Sequence, residues 1–154
     1  MSALPPSSCV CTTLRRATRA LTRSYDEAMA PHGLTIQQFA ILRHIGNHAR
    51  EHGAIPLSHL AARLVMDRTS LYRALPPLER AGLIALETPS PRARTARLTP
   101  TGEARIAQAQ PAWAALQARI LAAMAPGEWQ ALQASADRLA AALSHQSLLQ
   151  DDPA

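Results

Sequence analysis

Arg68, Thr69, Ser70, Tyr72 and Arg73 crowd into one short run of the chain, directly after Asp67. Guanidinium groups bind phosphate oxygens or the acceptor edge of guanine in two-pronged fashion, and hydroxyls bond either base edges or phosphates. A second pair of cations, Arg92 and Arg94, stands in the Pro-rich stretch TPSPRAR (88–94). Arginine is permanently charged and planar, so it suits a narrow, electronegative minor groove. Both sets point to nucleic-acid recognition. A third set is different: Cys9 and Cys11 lie two apart, with Arg15 and Arg16 one turn later. Thiols at a helix N-terminus near cations are biased toward the reactive thiolate.

The elements that must position these residues can be read around them. Leu57, Leu60, Ala61 and Leu64 recur at helical spacing. Asp67 can cap the next helix, whose apolar stripe is Leu71, Leu75 and Leu78. Two helices with a tight joint make a helix-turn-helix, whose second helix presents its N-terminal residues to the major groove. Gly82 stops that helix. Leu83 to Glu87 reads as a strand, 88–94 as a hairpin tip carrying both arginines, and Thr95 to Thr99 as the returning strand. A helix-turn-helix followed by such a ribbon is a winged helix. The predicted fold is mainly α with a small two-stranded β wing.

Pro76-Pro77 interrupts the second helix. Each proline lacks an N–H and crowds the carbonyl four residues earlier, here Tyr72 and Arg73. The helix either kinks there or ends its first segment near Ala74 to Leu75; its base-reading first turn precedes the break.

Helices flank this lobe. Val10, Leu14, Ala17, Leu21, Tyr25 and Ala28 form one face of a helix from about Val10 to Ala30, which Pro31-His32-Gly33 ends. Thr35 opens the next helix with Gln38 in capping-box position, and Phe39, Leu42 and Ile45 give it a core face. After Gly102, a long helix from Ala104 to Met124 turns Ile106, Trp113, Leu116, Ile120 and Met124 inward, with Pro111 inside it. Pro126-Gly127 precedes a last helix bearing Leu132, Leu139 and Leu143.

The ordered segments Arg15–Ile45, Leu57–Ile84 and the closing LTPTG (Leu98–Gly102) resemble the MarR family of winged-helix transcriptional regulators. With the helices after Gly102, the likeness extends over nearly the whole chain. It implies a homodimer that binds a pseudo-palindromic DNA operator, most simply as a repressor. It also implies that residues 1–34 and 102–150 form a helical dimerisation region and 35–101 the DNA-binding lobe. Thr69, Ser70 and Arg73 then read the major groove, Arg92 the minor groove, and Arg68 a phosphate. Two positions depart from the family pattern. Ser90 stands where the wing usually carries an Asp two residues before its arginine, and Pro76-Pro77 falls inside the recognition helix.

The resemblance further implies a sensor. Family pockets commonly lie between the first helix, the second and the helix after the wing, and take small aromatic acids or phenols. Here Arg15 or Arg16 can pair a carboxylate, His32 can donate a hydrogen bond, and Phe39 and Trp113 can pack on a ring. Some family members instead sense peroxides through a cysteine on the first helix, which makes Cys9 and Cys11 the alternative sensor. The plain structural reading of both cysteines is small apolar side chains near the dimer contact.

Composition fits a small regulator. Of 154 residues, 47% are apolar and only 3% aromatic, and much of the apolar fraction is alanine, which buries little area. Thin Ala-rich helices rely on close packing and a dimer interface. The net charge of +5 suits a polyanionic partner, and the cations gather in Arg15–Arg23, Arg63–Arg73 and Arg92–Arg105.

Other classes find little support. The sequence has no P-loop, Gly-rich dinucleotide turn, HExxH or GxSxG. His44, His48 and His52 are four apart, but no carboxylate or thiol completes a ligand set, so they read as a polar face. No metal, cofactor or enzymatic activity is expected. There is no run of some eighteen apolar residues and no secretory pattern at MSALPPSSC, so a cytoplasmic location is expected. Two competitors remain: a DNA-coating protein indifferent to sequence, and a thiol enzyme centred on Cys11, for which no nearby base is evident.

Overall fold

The computed structural model describes residues 9–90 and 93–144. Arg92 and the segments 1–8 and 145–154 lie outside the described residues. The chain divides into one compact unit up to Ala114 and a second from Ala115 onward.

Helix α1 (Val10–Met29) passes into a 3₁₀ turn over Ala30–His32. Gly33 closes that turn at φ 66°, left-handed backbone that glycine adopts without penalty. Helix α2 (Ile36–His52) starts at the expected capping box. Thr35 Oγ1 accepts from the Gln38 N–H at 3.2 Å, and Gln38 Oε1 accepts from the Thr35 N–H at 2.9 Å. Asp26 Oδ1 accepts from the Ile36 N–H at 2.7 Å, fastening α1 to the start of α2.

Strand β1 (Ile55–Pro56) leads into α3 (Leu57–Leu64) and α4 (Arg68–Arg80). Then come β2 (Ile84–Ser90), β3 (Ala93–Leu98), α5 (Pro100–Ala122) and α6 (Glu128–Ser144). The winged helix is thus borne out, with a third strand that the sequence did not announce. The antiparallel order is β1-β3-β2, with Ile55 opposite Ala96 and Ile84 opposite Leu98.

One core holds the lobe together. Phe39, Ile41, Leu42 and Ile45 of α2 pack with Leu60 of α3, Leu71, Leu75 and Leu78 of α4, and Ile55, Ile84 and Ala96 of the sheet. All are fully or almost fully buried. Each such large aliphatic side chain contributes about 1.5–3 kcal/mol by leaving water.

That burial explains why Pro76 and Pro77 do not end α4, which continues to Arg80. Stopping near Leu75 would strand Leu78 outside the core. The Tyr72 and Arg73 carbonyls lose their helical donors on a side where Pro76 is half-buried and Pro77 exposed, so water can replace them.

Helix α5 begins at Pro100, four residues before the position expected. Proline is well placed in a first helical turn, where its missing N–H costs nothing. Thr99 makes the start specific. Its Oγ1 accepts from the Gly102 N–H at 3.0 Å and donates to the Gly82 carbonyl at 2.6 Å, while its own N–H donates to the Leu83 carbonyl at 3.1 Å. A Cβ on Gly102 would stand 2.0 Å from the Leu83 carbonyl oxygen, so the glycine of LTPTG permits the close approach of helix and chain.

Candidate nucleic-acid interface

The turn between α3 and α4 is built on an unexpected residue. Val65 occupies the left-handed position at φ 51°, where glycine is usual. Its N–H donates to the Ala62 carbonyl at 3.2 Å, and the Met66 N–H donates to the Ala61 carbonyl at 2.9 Å. Its side chain is 82% exposed, so no burial repays the strain. Nothing in the string LVMD signals a left-handed residue, and sequence reasoning missed it.

Asp67 caps α4 as expected: its Oδ1 accepts from the Ser70 N–H at 2.8 Å. The Ser70 hydroxyl donates to the other carboxylate oxygen. Hydrogen bonds from the Ser70 side chain and backbone hold the Asp67 carboxyl below its ordinary value. Ser70 therefore spends its only hydroxyl proton within the cap. Arg68, Thr69 and Arg73 are exposed on the same first turns, while Tyr72 is half-buried against the core.

The ribbon differs from expectation at its tip. Strand β2 extends to Ser90 and β3 begins at Ala93, so Arg94 lies in a strand rather than in the tip. Pro89 is tolerated because β2 is an edge strand, and the register shifts between Glu87 and Ser90. Alternation along β3 then separates its two arginines. Arg97 shares the outer face with Thr95 and forms an ion pair with Glu87. Arg94 shares the inner face with buried Ala96 and lies over the Tyr72 ring, its Cζ 5.3 Å from the centroid. Ser90 is exposed, and the Arg97–Glu87 pair braces the ribbon nearer its base.

The residues expected to sense a signal are only partly brought together. Phe39 and Trp113 meet with ring centroids 6.2 Å apart and line a cavity of about 220 Å³. Arg15, Arg16 and His32 are not among its lining residues. Arg15 and Arg16 are exposed on α1, and the His32 carbonyl accepts from Arg105 Nη1 at 3.0 Å. The cation at the aromatic pair is Arg43, which sequence reasoning missed. Its Cζ lies 4.3 Å from the Trp113 centroid and 5.7 Å from that of Phe39. Arg43 and Asn47 also line a larger open cavity of about 690 Å³ with Arg50, Glu103, Ile106 and Gln110. Only the i, i+4 spacing of Phe39 and Arg43 on α2 could have hinted at this cluster.

His44 lines the smaller cavity, and burial together with Arg63 and Arg43 lowers its pKa below the ordinary histidine value. His48 is likewise lowered, first by desolvation and then by His52, Arg63 and His59. Its Nδ1 is buried without a hydrogen-bond partner among the described residues, and its ring centroid lies 5.0 Å from that of His52. Among the described residues no three His, Cys, Asp or Glu side chains are arranged to hold a metal ion.

Cys9 is the extended N-cap residue of α1, and both cysteines are exposed and outside any disulfide among the described residues. Hydrogen bonding to the Thr12 side chain and backbone lowers the Cys9 thiol below its ordinary value. No helix among the described residues is long and apolar enough to cross a membrane.

Comparison with known proteins agrees with this geometry. A model of the MarR family matches residues 32–94. The DNA complex of the Mycobacterium tuberculosis transcriptional regulator MosR superposes with a TM-score of 0.81 at 33% identity, covering 91% of this chain and 99% of that one. The Staphylococcus aureus MepR–DNA complex (TM-score 0.77, 15% identity) covers 89% of this chain and 99% of its own. Streptomyces coelicolor PcaV with its natural ligand (TM-score 0.76, 21% identity) covers 93% of this chain and 99% of its own. No curated protein sequence matches the chain.

Proposed function

The chain belongs to the MarR family of DNA-binding transcriptional regulators, and we propose that it works as a cytoplasmic homodimeric repressor released by a small aromatic acid or phenol. Its family consists of regulators rather than enzymes. The observation that carries the proposal is the Asp67-capped start of α4, which presents Arg68, Thr69 and Arg73 beside a basic two-stranded ribbon. Residues 1–34 and 102–150 would interlock with a second copy, and 35–101 would read DNA. Two recognition helices fixed in one dimer select half-sites at a set spacing, hence a pseudo-palindromic operator.

Thr69 and Arg73 are the base readers in this proposal, Arg68 serves a phosphate, and Arg92 enters the minor groove. Ser70, its proton donated to Asp67, can only accept from a base. For the inducer, the supporting feature is Arg43: a guanidinium lying over the Trp113 and Phe39 rings with no carboxylate partner among the described residues. An aromatic carboxylate satisfies both the cation and the rings. Its binding would favour dimers whose recognition helices no longer match the operator.

A second reading is favoured by the lowered thiol of Cys9. A peroxide would convert its thiolate to sulfenic acid, losing an alcohol or water. The sulfenic acid would then condense with Cys11 of the other subunit or with a small thiol, releasing water as the disulfide forms.

The test is a salt-titrated binding assay on the chain's own upstream DNA and on scrambled duplex, repeated with benzoates and phenols and with mild peroxide. Preference for the upstream region is expected; equal affinity for both duplexes would identify a DNA-coating protein instead. Loss of specific binding with an aromatic acid supports the ligand reading, and reductant-reversible loss with peroxide supports the thiol reading.

A further inference from the structure

The cleft between recognition helix and wing base contains an arrangement that ordinary DNA reading does not explain. A small cavity of about 150 Å³ is lined by Pro56, Leu57 and Ser58, by Arg68 and Tyr72 of α4, and by Ala93 and Arg94 of β3. Its lining residues include two guanidinium side chains and no carboxylate. Arg97, three residues along the same strand and on its other face, is paired with Glu87, whereas neither Arg68 nor Arg94 forms an ion pair among the described residues. Like charges facing a shared concavity repel unless an anion lies between them. Arg94 is exposed, but it shares a face of β3 with buried Ala96, and its guanidinium lies over the Tyr72 ring of α4, a cation–π contact that favours this placement. The Tyr72 hydroxyl makes no hydrogen bond among the described residues, so the face of the ring, not its polar end, is what this tyrosine offers Arg94.

We propose that Tyr72 is a positioning residue that holds Arg94 beside Arg68, so that the two guanidiniums grip one backbone phosphate of the DNA between recognition helix and wing. This inference rests on the regulator reading above. It assigns Tyr72 a role through Arg94 rather than a base edge of its own, and it makes the wing base and α4 register on the same strand.

The experiment measures operator affinity across a salt series for the full-length wild type and for Arg94→Ala, Tyr72→Leu, Tyr72→Phe and the Arg94→Ala/Tyr72→Leu double variant. Thermal melts and sedimentation confirm that each remains a folded species of wild-type size. Arg94→Ala should weaken binding about tenfold on specific and scrambled duplex alike and reduce the salt slope by about one per subunit. Tyr72→Leu should reproduce much of that loss, Tyr72→Phe should bind like the wild type, and the double variant should be no worse than Arg94→Ala. An unchanged slope in Arg94→Ala, a loss in Tyr72→Phe equal to that in Tyr72→Leu, or strictly additive losses would each overturn the clamp. Wild-type protein that binds no duplex would instead sink the regulator reading itself. Should Tyr72→Leu fail to fold, Tyr72→Phe and Arg94→Lys still decide. Lysine keeps the charge but cannot lie flat on the ring while forking to phosphate, so Arg94→Lys should keep the slope and still lose affinity.

Discussion

The winged-helix lobe and the first helix are built on opposite terms. Helices α2, α3 and α4 bury their apolar stripes inside one chain, with Phe39, Leu42, Leu60, Leu71 and Leu75 almost wholly removed from water. Of α1, only Met29 is buried; Val10 is 60% exposed, Leu14 40% and Leu21 45%. The core of the lobe is therefore built within a single chain, whereas α1 carries apolar residues that the described residues leave exposed. Helix α6, considered by itself, is similar: none of its residues with described burial is buried, and Leu132 and Leu143 are exposed. Under the proposed homodimer, the difference teaches where a second copy would supply what the first lacks, and it separates substitutions expected to harm reading from those expected to harm pairing.

The largest expected effect breaks pairing alone. Leu14→Glu combined with Leu21→Glu should sediment as a monomer and lose roughly 10²–10⁴-fold in operator affinity as bivalency disappears. Amide protection in α2 should persist; its loss would mean that α1 is part of the lobe's own core. Leu75→Ala acts on the other side of the comparison. It should cost about 2–5 kcal/mol in chemical denaturation, because a buried cavity opens beneath the recognition helix. A loss below about 1 kcal/mol would show that α4 ends near the prolines after all.

A smaller effect concerns acid. His44 has a lowered pKa in the folded lobe, so the unfolded chain binds its proton more readily. Stability contributed by the neutral ring is present above the ordinary histidine pKa and is lost as pH falls below it. The melting temperature should drop on acidification from pH 7 to 5, and His44→Gln should flatten that drop. An identical pH profile in the variant would assign the effect to other groups. The smallest change sharpens the lobe itself: Val65→Gly relieves left-handed strain at an exposed site and should raise stability by up to about 1 kcal/mol. A lowered melting temperature would show that the valine is held by contacts absent from the isolated chain.

Much of this was legible in advance, for identifiable reasons. The capping box at Thr35, the Asp67 cap and the leucine stripe of α4 depend on neighbours three or four residues away, so local spacing reveals them. Apart from the left-handed Val65, which no local residue type announces, what escaped depends on partners distant in sequence. Strand β1 exists only because Ile55 finds Ala96, and α4 survives two prolines only because the core beneath Leu78 requires it. Arg43 becomes a candidate ligand contact only when Trp113 arrives from α5. In the interface, the cluster on α4 was evident as a run of residues. The division of labour between Arg94 and Arg97 was not, because it depends on which face of β3 each occupies.

The two-residue seam between β1 and β3 has a consequence for how this protein comes apart. It joins residues about forty positions apart and encloses the whole helix-turn-helix between two paired strands. Closing so long a loop carries an entropic cost that pairing and the burial of Ile55 must offset together. Helix-turn-helix and ribbon are therefore expected to belong to one cooperative unit: heat or denaturant should remove both in a single transition, and partial melting should leave no species that keeps the helix-turn-helix without its wing.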